Sequence, residues 1–504
     1  MNPLSEAPCD AHVLLDPAQM ARADRAAIAS GVTGVRLMAA AGAAVARAIR
    51  ERWSPRPTVI LCGPGNNGGD GFIVAHLLRA AGWSVRVALW GNRADLRCDA
   101  ARAAQEWGGP IETADAKSPQ GAALIIDGLL GAGLSRAPAG ALQALIQAIN
   151  ATGVPVCAID VPTGLDGATG QSPGAAIQAD LTVTFFRRKP GHLLLPGRLL
   201  CGELRCADIG IPASVLGPIA SQTWINDPDL WQSLFPWPRT GDHKYRRGHV
   251  LVVGGGVMLG ASRLACLAAA RIGAGLVTLA VPPSAWAIQA GALTSVMVES
   301  LPNDGGLADA LTDARRNVLL IGPGLGRSPV AQRQVLDLLA SGRPCVLDAD
   351  ALSAFGDRPD TLLDRLHAQC VLTPHEGEFA RLFSLDGDKL RRARAAAQRS
   401  GAVIVLKGAD TVIAAPDGRC VINDNAPPTL ATAGAGDVLA GCIAGLLAGG
   451  MPVFEAACAA VWLHGLAADR LGWGLLAEDL PGALPGALES LARLDEHRMD
   501  STHG

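Results

Sequence analysis

The segment Leu61–Gly71, LCGPGNNGGDG, sets five glycines, two asparagines and a carboxylate between an apolar run and a helix-like run. Glycine lets backbone N–H groups come close to a charged ligand, so a strand-to-helix turn of this composition makes an anion cradle. Side-chain oxygens of Asn66, Asn67 and Asp70 border it. The run fits neither the G-x-G-x-x-G dinucleotide pattern nor a Walker loop, since no Lys-Ser/Thr pair follows. A ligand other than ordinary NAD or ATP is expected.

Two more apolar runs end in oxygen donors: Asp127 in IIDGLLGAGL, and Asp160 in AIDVPTGLDG with Thr163 three residues later. Ligands of open α/β sheets lie outside the C-terminal ends of the strands. Carboxylate, amide and hydroxyl oxygens gathered there suit a hard cation near the cradle. Singly, each of these residues also serves as a turn or helix cap. In the second half, ATAGAGDVL (431–439) opens a long Ala/Gly/Leu helix. Small residues at a helix start expose N–H groups that form an anion hole for a transferring phosphoryl group, with Asp437 placed to take a proton.

These groups need a scaffold, and the pattern supplies two successive ones. Strands are expected over Thr58–Cys62, Ser84–Leu89, Ala123–Asp127, Val154–Asp160 and Leu181–Phe186, with helices at Asp70–Ala81 and Ala141–Asn150 and one or two helices within Met20–Arg50. Apolar strands alternating with helices predict parallel sheets covered on both faces. From about Trp224 to Arg247 prolines, tryptophans and basic residues break the pattern, marking a connector. A second set follows: His249–Val253, Leu276–Val281, Val318–Gly322, Cys345–Asp348, Cys370–Thr373 and Val403–Leu406.

A length of 504 residues exceeds one hydrophobic core, and 49% hydrophobic with 18% charged residues argues against large-scale disorder. A net charge of −3 offers no basic field for nucleic acid. Charged residues from Asp10 to Arg25 interrupt any signal peptide or membrane span at the start, so a cytoplasmic protein is expected. The twelve cysteines are scattered without a C-x-x-C pair, which predicts reduced, mostly buried small hydrophobes.

The runs GPGNNGGDG, DGLLGAGL, DVPTGLDG and Lys189-Pro190-Gly191 resemble the NAD(P)H-hydrate epimerase domain over roughly residues 10 to 220. The resemblance implies that Asn66, Asn67, Gly68, Gly69 and Asp70, together with Gly131, Ala132, Gly133, Leu134, Ser135, Arg136 and Ala137, embrace a hydrated dinucleotide. It further implies that Asp160 contacts the altered nicotinamide ring and that Asn67, Asp127 and Thr163 bind K+. Epimerisation at C6 demands proton transfer, and an aspartate at a strand end is suited to it if burial raises its pKa toward the working pH, which makes Asp160 the expected catalytic group. Two departures stand out: Leu37-Met38-Ala39-Ala40-Ala41-Gly42 replaces the family's LMENAG, losing a carboxylate at position 39, and Ala132 replaces a common Thr.

The Gly-Ala-Gly-Asp turn resembles the ribokinase-like superfamily. With GPGLG (322–326), LDADAL (347–352), LTPHEGEF (372–379), VLKGADT (405–411) and WLHGLAAD (462–469), the second half is similar to the ADP/ATP-dependent NAD(P)H-hydrate dehydratases over about residues 240 to 485. That likeness implies that Ala261, Gly324, His375 and Asp437 contact the hydrate. Lys407, Gly408, Ala409, Asp410, Thr411, Gly434 and Gly436 would hold the adenine nucleotide, with Mg2+ bridging its phosphates. The expected fold is α/β in two domains: an N-terminal Rossmann-like three-layer domain (1–225) and a C-terminal ribokinase-like α/β domain (226–504).

The expected reactions are epimerisation of R and S NADHX and NADPHX in the first domain and ADP-dependent dehydration of the S form in the second, with release of AMP and phosphate. Phosphorylating the C6 hydroxyl turns it into a leaving group that the ring nitrogen expels, and positioning plus charge stabilisation carry such a step. Asp437 would act as base. The expected partners are these small molecules, with no nucleic acid or membrane, in a homo-oligomer. A small-alcohol kinase for the second half, or a non-catalytic binding module for the first, stays open at this level.

Overall fold

The computed structural model describes residues 10–134 and 136–501, and the chain divides into two compact units, Asp10–Thr223 and the residues from Trp224 onward. Ser135 lies outside the described residues. The first unit is built on a seven-stranded sheet in the order Glu112–Thr113, Val85–Leu89, Thr58–Cys62, Leu124–Gly128, Val156–Ile159, Leu181–Phe185, Glu203–Ala207. Every pairing is parallel. The four strands from Thr58–Cys62 through Leu181–Phe185 in this order are buried at every residue, which is why they read as unbroken apolar runs.

Strand order reverses between Thr58–Cys62 and Leu124–Gly128, whose register pairs Leu61 with Asp127 and Cys62 with Gly128. Such a switch point opens a crevice at the C-terminal strand ends. Helices Pro17–Ala29, Gly34–Arg52, Asn66–Ala80, Cys98–Trp107 and Gly140–Ala151 complete the unit. The first is fixed by a capping box, in which Asp16 accepts from the Gln19 N–H while Gln19 accepts from the Asp16 N–H.

The second unit holds nine strands of a ten-stranded sheet in the order Met297–Ser300, Leu276–Val281, His249–Val253, Val318–Ile321, Cys345–Leu347, Cys370–Leu372, Val403–Leu406, Val412–Ala414, Cys420–Ile422, with Thr223–Ile225 at the far edge. The first seven run parallel, and Val412–Ala414 and Cys420–Ile422 add antiparallel pairings. Helices Ala435–Ala448 and Val453–Leu471 bury most of their length, and Leu259–Ile272 buries one face.

Most expected strands fall within a residue or two of their observed bounds. Two departures have clear causes. The glycine-asparagine run is not a turn ahead of a helix at Asp70: the helix already begins at Asn66, so these residues form its first turns. The edge strand Glu112–Thr113 is two exposed residues and carries no hydrophobic pattern to detect.

The connector is more than a linker. Asn226 is buried and donates to Asn423 Oδ1 (2.9 Å) and to the Cys458 carbonyl (2.8 Å), while accepting from Trp231 Nε1 (3.2 Å). Removing one member of a buried network orphans the others. Asn226→Ala should therefore destabilise the second unit by about 2–4 kcal/mol, since each orphaned group costs roughly 1–3 kcal/mol. Thermal unfolding with an unchanged midpoint would show the network to be dispensable.

Candidate active sites

In the first unit a cavity of about 510 Å³ opens at the switch point. Asn66, Asn67, Asp70, Gly131, Ala132, Gly133 and Asp160 line it, joined by Asp24 and Lys189. Leu134, Arg136 and Ala137 continue the same loop beyond the lining. Gly68 and Gly69 face the other way: a Cβ on Gly68 would meet the Gly63 carbonyl oxygen at 1.8 Å, and one on Gly69 the Met38 methyl at 2.5 Å. These two glycines let the helix pack on its neighbours, while Asn66, Asn67 and Asp70 turn toward the cavity.

Asp160 follows the strand Val156–Ile159 with φ of 64°, a left-handed conformation that aspartate tolerates better than most residues. Its Oδ1 forms an ion pair with Lys189 Nζ and accepts from Thr184 Oγ1 at 2.9 Å. Lys189 is 1% exposed and its Nζ also bonds Thr184 Oγ1 (2.8 Å). His192 takes the Lys189 N–H on Nδ1 (3.0 Å), so its Nε2–H donates to the Asp160 carbonyl (2.9 Å). Burial and the Lys189 charge push the His192 pKa down to about 4, which keeps the ring neutral.

This network corrects the expectation for Asp160. Burial is the largest influence and alone would raise its pKa, but the Lys189 ammonium, the His192 ring and the Thr184 hydroxyl together outweigh it and hold the carboxyl below its ordinary value. The proton sits elsewhere. Asp70 is buried beside the negative charges of Asp160 and Asp24 and is pushed well above the usual carboxylate range. Asp24 is raised by burial as well. Sequence reasoning missed Lys189 as a partner, although the Lys-Pro-Gly run had marked it.

Asn67, Asp127 and Thr163 do converge. Thr163 gives its N–H to Asp127 Oδ2 and its hydroxyl to Oδ1, both at 2.7 Å, and Asn67 Nδ2 donates to the Leu130 carbonyl (2.9 Å). Asp127 is fully buried, and desolvation lifts its pKa to about 6 despite those bonds. A buried carboxylate bonded to the Thr163 hydroxyl, which also meets the Leu130 N–H of the loop that Asn67 holds, is a hard-oxygen setting that fits a monovalent cation, whose charge would offset the desolvation.

In the second unit the carboxylates cluster at the C-terminal ends of Cys345–Leu347 and Cys370–Leu372. Asp348 Oδ1 accepts from Thr373 Oγ1 and from Lys407 Nζ, each at 2.7 Å. Burial would lower the Lys407 pKa, but Asp348 reverses the effect and raises it. Asp437 sits in the first turn of Ala435–Ala448, behind Gly434, whose φ of 93° is open to glycine. Burial, then repulsion from Asp348, pushes Asp437 to about 7. Glu378 is raised by burial too. Asp348 and Glu378 lay inside motifs noted in the sequence but were given no role there.

Lys407, Gly408, Ala409, Thr411 and Gly436 line a cavity of about 270 Å³. Asp410 is directed away, its Oδ1 accepting from Lys389 Nζ at 2.6 Å. His375 caps Glu376–Leu382, its Nδ1 accepting from Gly377 N–H (2.9 Å) and Glu378 N–H (3.3 Å), so only its outer edge remains for a ligand. Gly324 lies with φ of 65° against the Met258 carbonyl, just before the helix that carries Ala261.

Two family models match the chain: one described as YjeF-related protein N-terminus over residues 34–191, the other as NAD(P)H-hydrate dehydratase over residues 250–480. The bifunctional NAD(P)H-hydrate repair enzyme of Moorella thermoacetica is 38% identical over 95% of this chain and 97% of its own. That of Salinibacter ruber is 38% identical over 92% and 93%. A solved ADP/ATP-dependent NAD(P)H-hydrate dehydratase from Bacillus subtilis, co-crystallised with ATP/Mg2+, is 30% identical over 53% of this chain and 98% of its own, with a TM-score of 0.47.

Lys189→Met should move the Asp160 titration above the ordinary carboxylate range, because burial then acts without its opposing charge. Carbon-13 detection of the carboxyl signals checks this. A titration left where it was would remove the ion pair from the account.

Proposed function

The chain belongs to the family of bifunctional NAD(P)H-hydrate repair enzymes, and from that membership we propose how its two units divide the work. The protein returns hydrated NADH and NADPH to use by epimerisation and dehydration. We assign epimerisation to the first unit and dehydration of the S form, with ADP as donor, to the second. One observation supports both assignments: in each unit a lysine-paired aspartate lies beside a carboxylate whose pKa is raised, Asp160 beside Asp70 and Asp348 beside Asp437. A carboxyl raised by burial and a neighbouring negative charge is suited to proton transfer near neutral pH.

In the first cavity, protonated Asp70 hands its proton to the C6 hydroxyl as the ring nitrogen expels water. Ionised Asp160 stabilises the cation that results and takes a proton from the water that returns on the other face. The atoms balance, since one water leaves and one adds. Asn67, Asp127 and Thr163 would hold potassium, which supplies the charge that keeps Asp127 ionised.

In the second unit, Asp437 takes the proton of the C6 hydroxyl as that oxygen attacks the terminal phosphorus of ADP. The N–H groups at the start of Ala435–Ala448 receive the phosphoryl oxygens, and AMP departs. The ring nitrogen then expels phosphate. Lys407 to Thr411 and Gly436 border the nucleotide. Glu378 and Asp348 would hold Mg2+, which supplies neutralisation of the nucleotide phosphates. We place the reactions in the cytoplasm, a reading supported by eleven free cysteines among the described residues.

Asp437→Asn should lower dehydration by about 10²–10⁴-fold, the scale of a general base. Because Asp437 must be ionised to act, the wild-type rate should rise with pH through about 7 and level off above it, and the variant should lack that limb. A variant with the same pH profile as the wild type excludes Asp437 as the base.

Mixed epimers with ADP and Mg2+ should return dihydronicotinamide absorbance in a single fast phase. Asp160→Asn should split the curve, with a slow phase set by spontaneous epimer exchange and the fast phase untouched, as expected for independent sites. A slow phase already present in the wild type, with potassium supplied, would show that the first unit does not epimerise.

A further inference from the structure

The sequence offers no paired cysteine motif, yet folding makes one. Strands Cys345–Leu347 and Cys370–Leu372 are parallel neighbours, and the register sets Cys345 directly beside Cys370. Both side chains are buried and their sulfurs lie 3.4 Å apart. The turn before Cys370 brings in His367: one of its ring nitrogens and both sulfurs all lie within 4.8 Å of one another.

We propose that Cys345, Cys370 and His367 form a binding site for a thiophilic divalent cation of the zinc class, with water or a fourth donor completing a tetrahedron. Zinc bound to two thiolates at about 2.3 Å in a tetrahedron needs sulfurs about 3.7 Å apart, so the observed spacing asks for a shift of only a few tenths of an ångström. The His367 backbone N–H lies 3.4 Å from the Cys370 sulfur, which ties the third ligand residue to the cysteine pair. Binding to two thiolates releases both thiol protons, one of which lies between the sulfurs.

The site lies close to the surface, because His367 is half-buried and Ala368 and Gln369 are exposed. The site lies at the end of the sheet away from the chemistry. Cys345 is three residues before Asp348 and Cys370 three before Thr373, about 10 Å at the rise of a β-strand. A cation here would clamp the starts of the two strands whose far ends carry the Asp348–Thr373 hydrogen bond. Its role is therefore structural.

The test is to titrate the reduced full chain with Co2+ alone, without oxygen. One Co2+ per chain should give a near-ultraviolet thiolate-to-cobalt charge-transfer band that Zn2+ abolishes, and Zn2+ should raise the melting temperature. Cys370→Ser and Cys345→Ser should lose the band, His367→Gln should weaken Co2+ binding at least tenfold, and Cys98→Ser/Cys206→Ser, which removes the exposed thiols among the described residues, should keep it. The proposal fails if the reduced wild type gives no band, or if the band goes with Cys98 and Cys206. It fails equally if the two sulfurs only oxidise to a disulfide, seen as a loss of two hydrogens in mass with no metal bound. Because the readout is spectroscopic, it is independent of the catalytic assignments.

Discussion

Both sites depend on a lysine held against a strand-end aspartate: the buried Lys189 with Asp160 in the first unit and the half-buried Lys407 with Asp348 in the second. A carboxylate in an apolar interior would otherwise take up a proton, and a lysine would give one up. The pairing holds Asp160 below its ordinary range and Lys407 above its own, and removing one partner of a buried pair typically costs about 3–5 kcal/mol. The fixed negative charge then acts on the next carboxylate. Asp70 and Asp437 are each pushed upward by burial and by the paired aspartate beside them. Each ion pair thus raises the carboxyl beside it: in the first unit this suits Asp70 to the proposed role of proton donor, and in the second it brings the proposed base, Asp437, to about 7.

The parallel sheet explains why such clusters can form at all. Asp127 ends its strand, and Asp160, Asp348 and Thr373 each come directly after a fully buried one, so side chains from separate parts of the sequence emerge on the same rim. Helices Asn66–Ala80 and Ala435–Ala448 then begin at those rims, presenting unsatisfied N–H groups where negative charge is wanted. Neither helix has a side-chain cap, so its first N–H groups are left for a ligand.

Much of this was legible in the sequence because the residues that matter sit in short contiguous runs. Asn66 to Asp70, Asp127, Asp160 with Thr163, and Gly434 to Asp437 could each be read at a strand end or a helix start. Pairings across long separations were not legible. Lys189 lies 29 residues from Asp160, and Lys407 lies 59 from Asp348, so the ion pairs that fix the pKa values exist only once the strands are in register. The direction for Asp160 was misjudged for that reason: burial can be guessed from an apolar flank, but a countercharge cannot. Cys345, His367 and Cys370 were hidden in the same way, with strand register rather than sequence spacing bringing the sulfurs together.

The replacement of a family glutamate by Ala39 bears on whether the first unit has the groups it needs. Helix Gly34–Arg52 presents Gly34, Leu37, Met38 and Ala41 to the cavity, the i, i+3, i+4, i+7 face of an α-helix. Position 39 falls off that face and is exposed. A glutamate there would extend from the solvent side of the helix rather than from its cavity face. The carboxylates that do line the cavity near Lys189 come from elsewhere: Asp24 from the preceding helix, Asp70 from the helix of the cradle and Asp160 from the strand end. Asp24 and Asp70 respond to the charge of Asp160, and Asp24 to Lys189 as well, which places all three carboxylates within one electrostatic neighbourhood. The proposed acid, Asp70, and the proposed base, Asp160, therefore both reach the cavity without position 39, and a side chain lost there removes no group from that scheme.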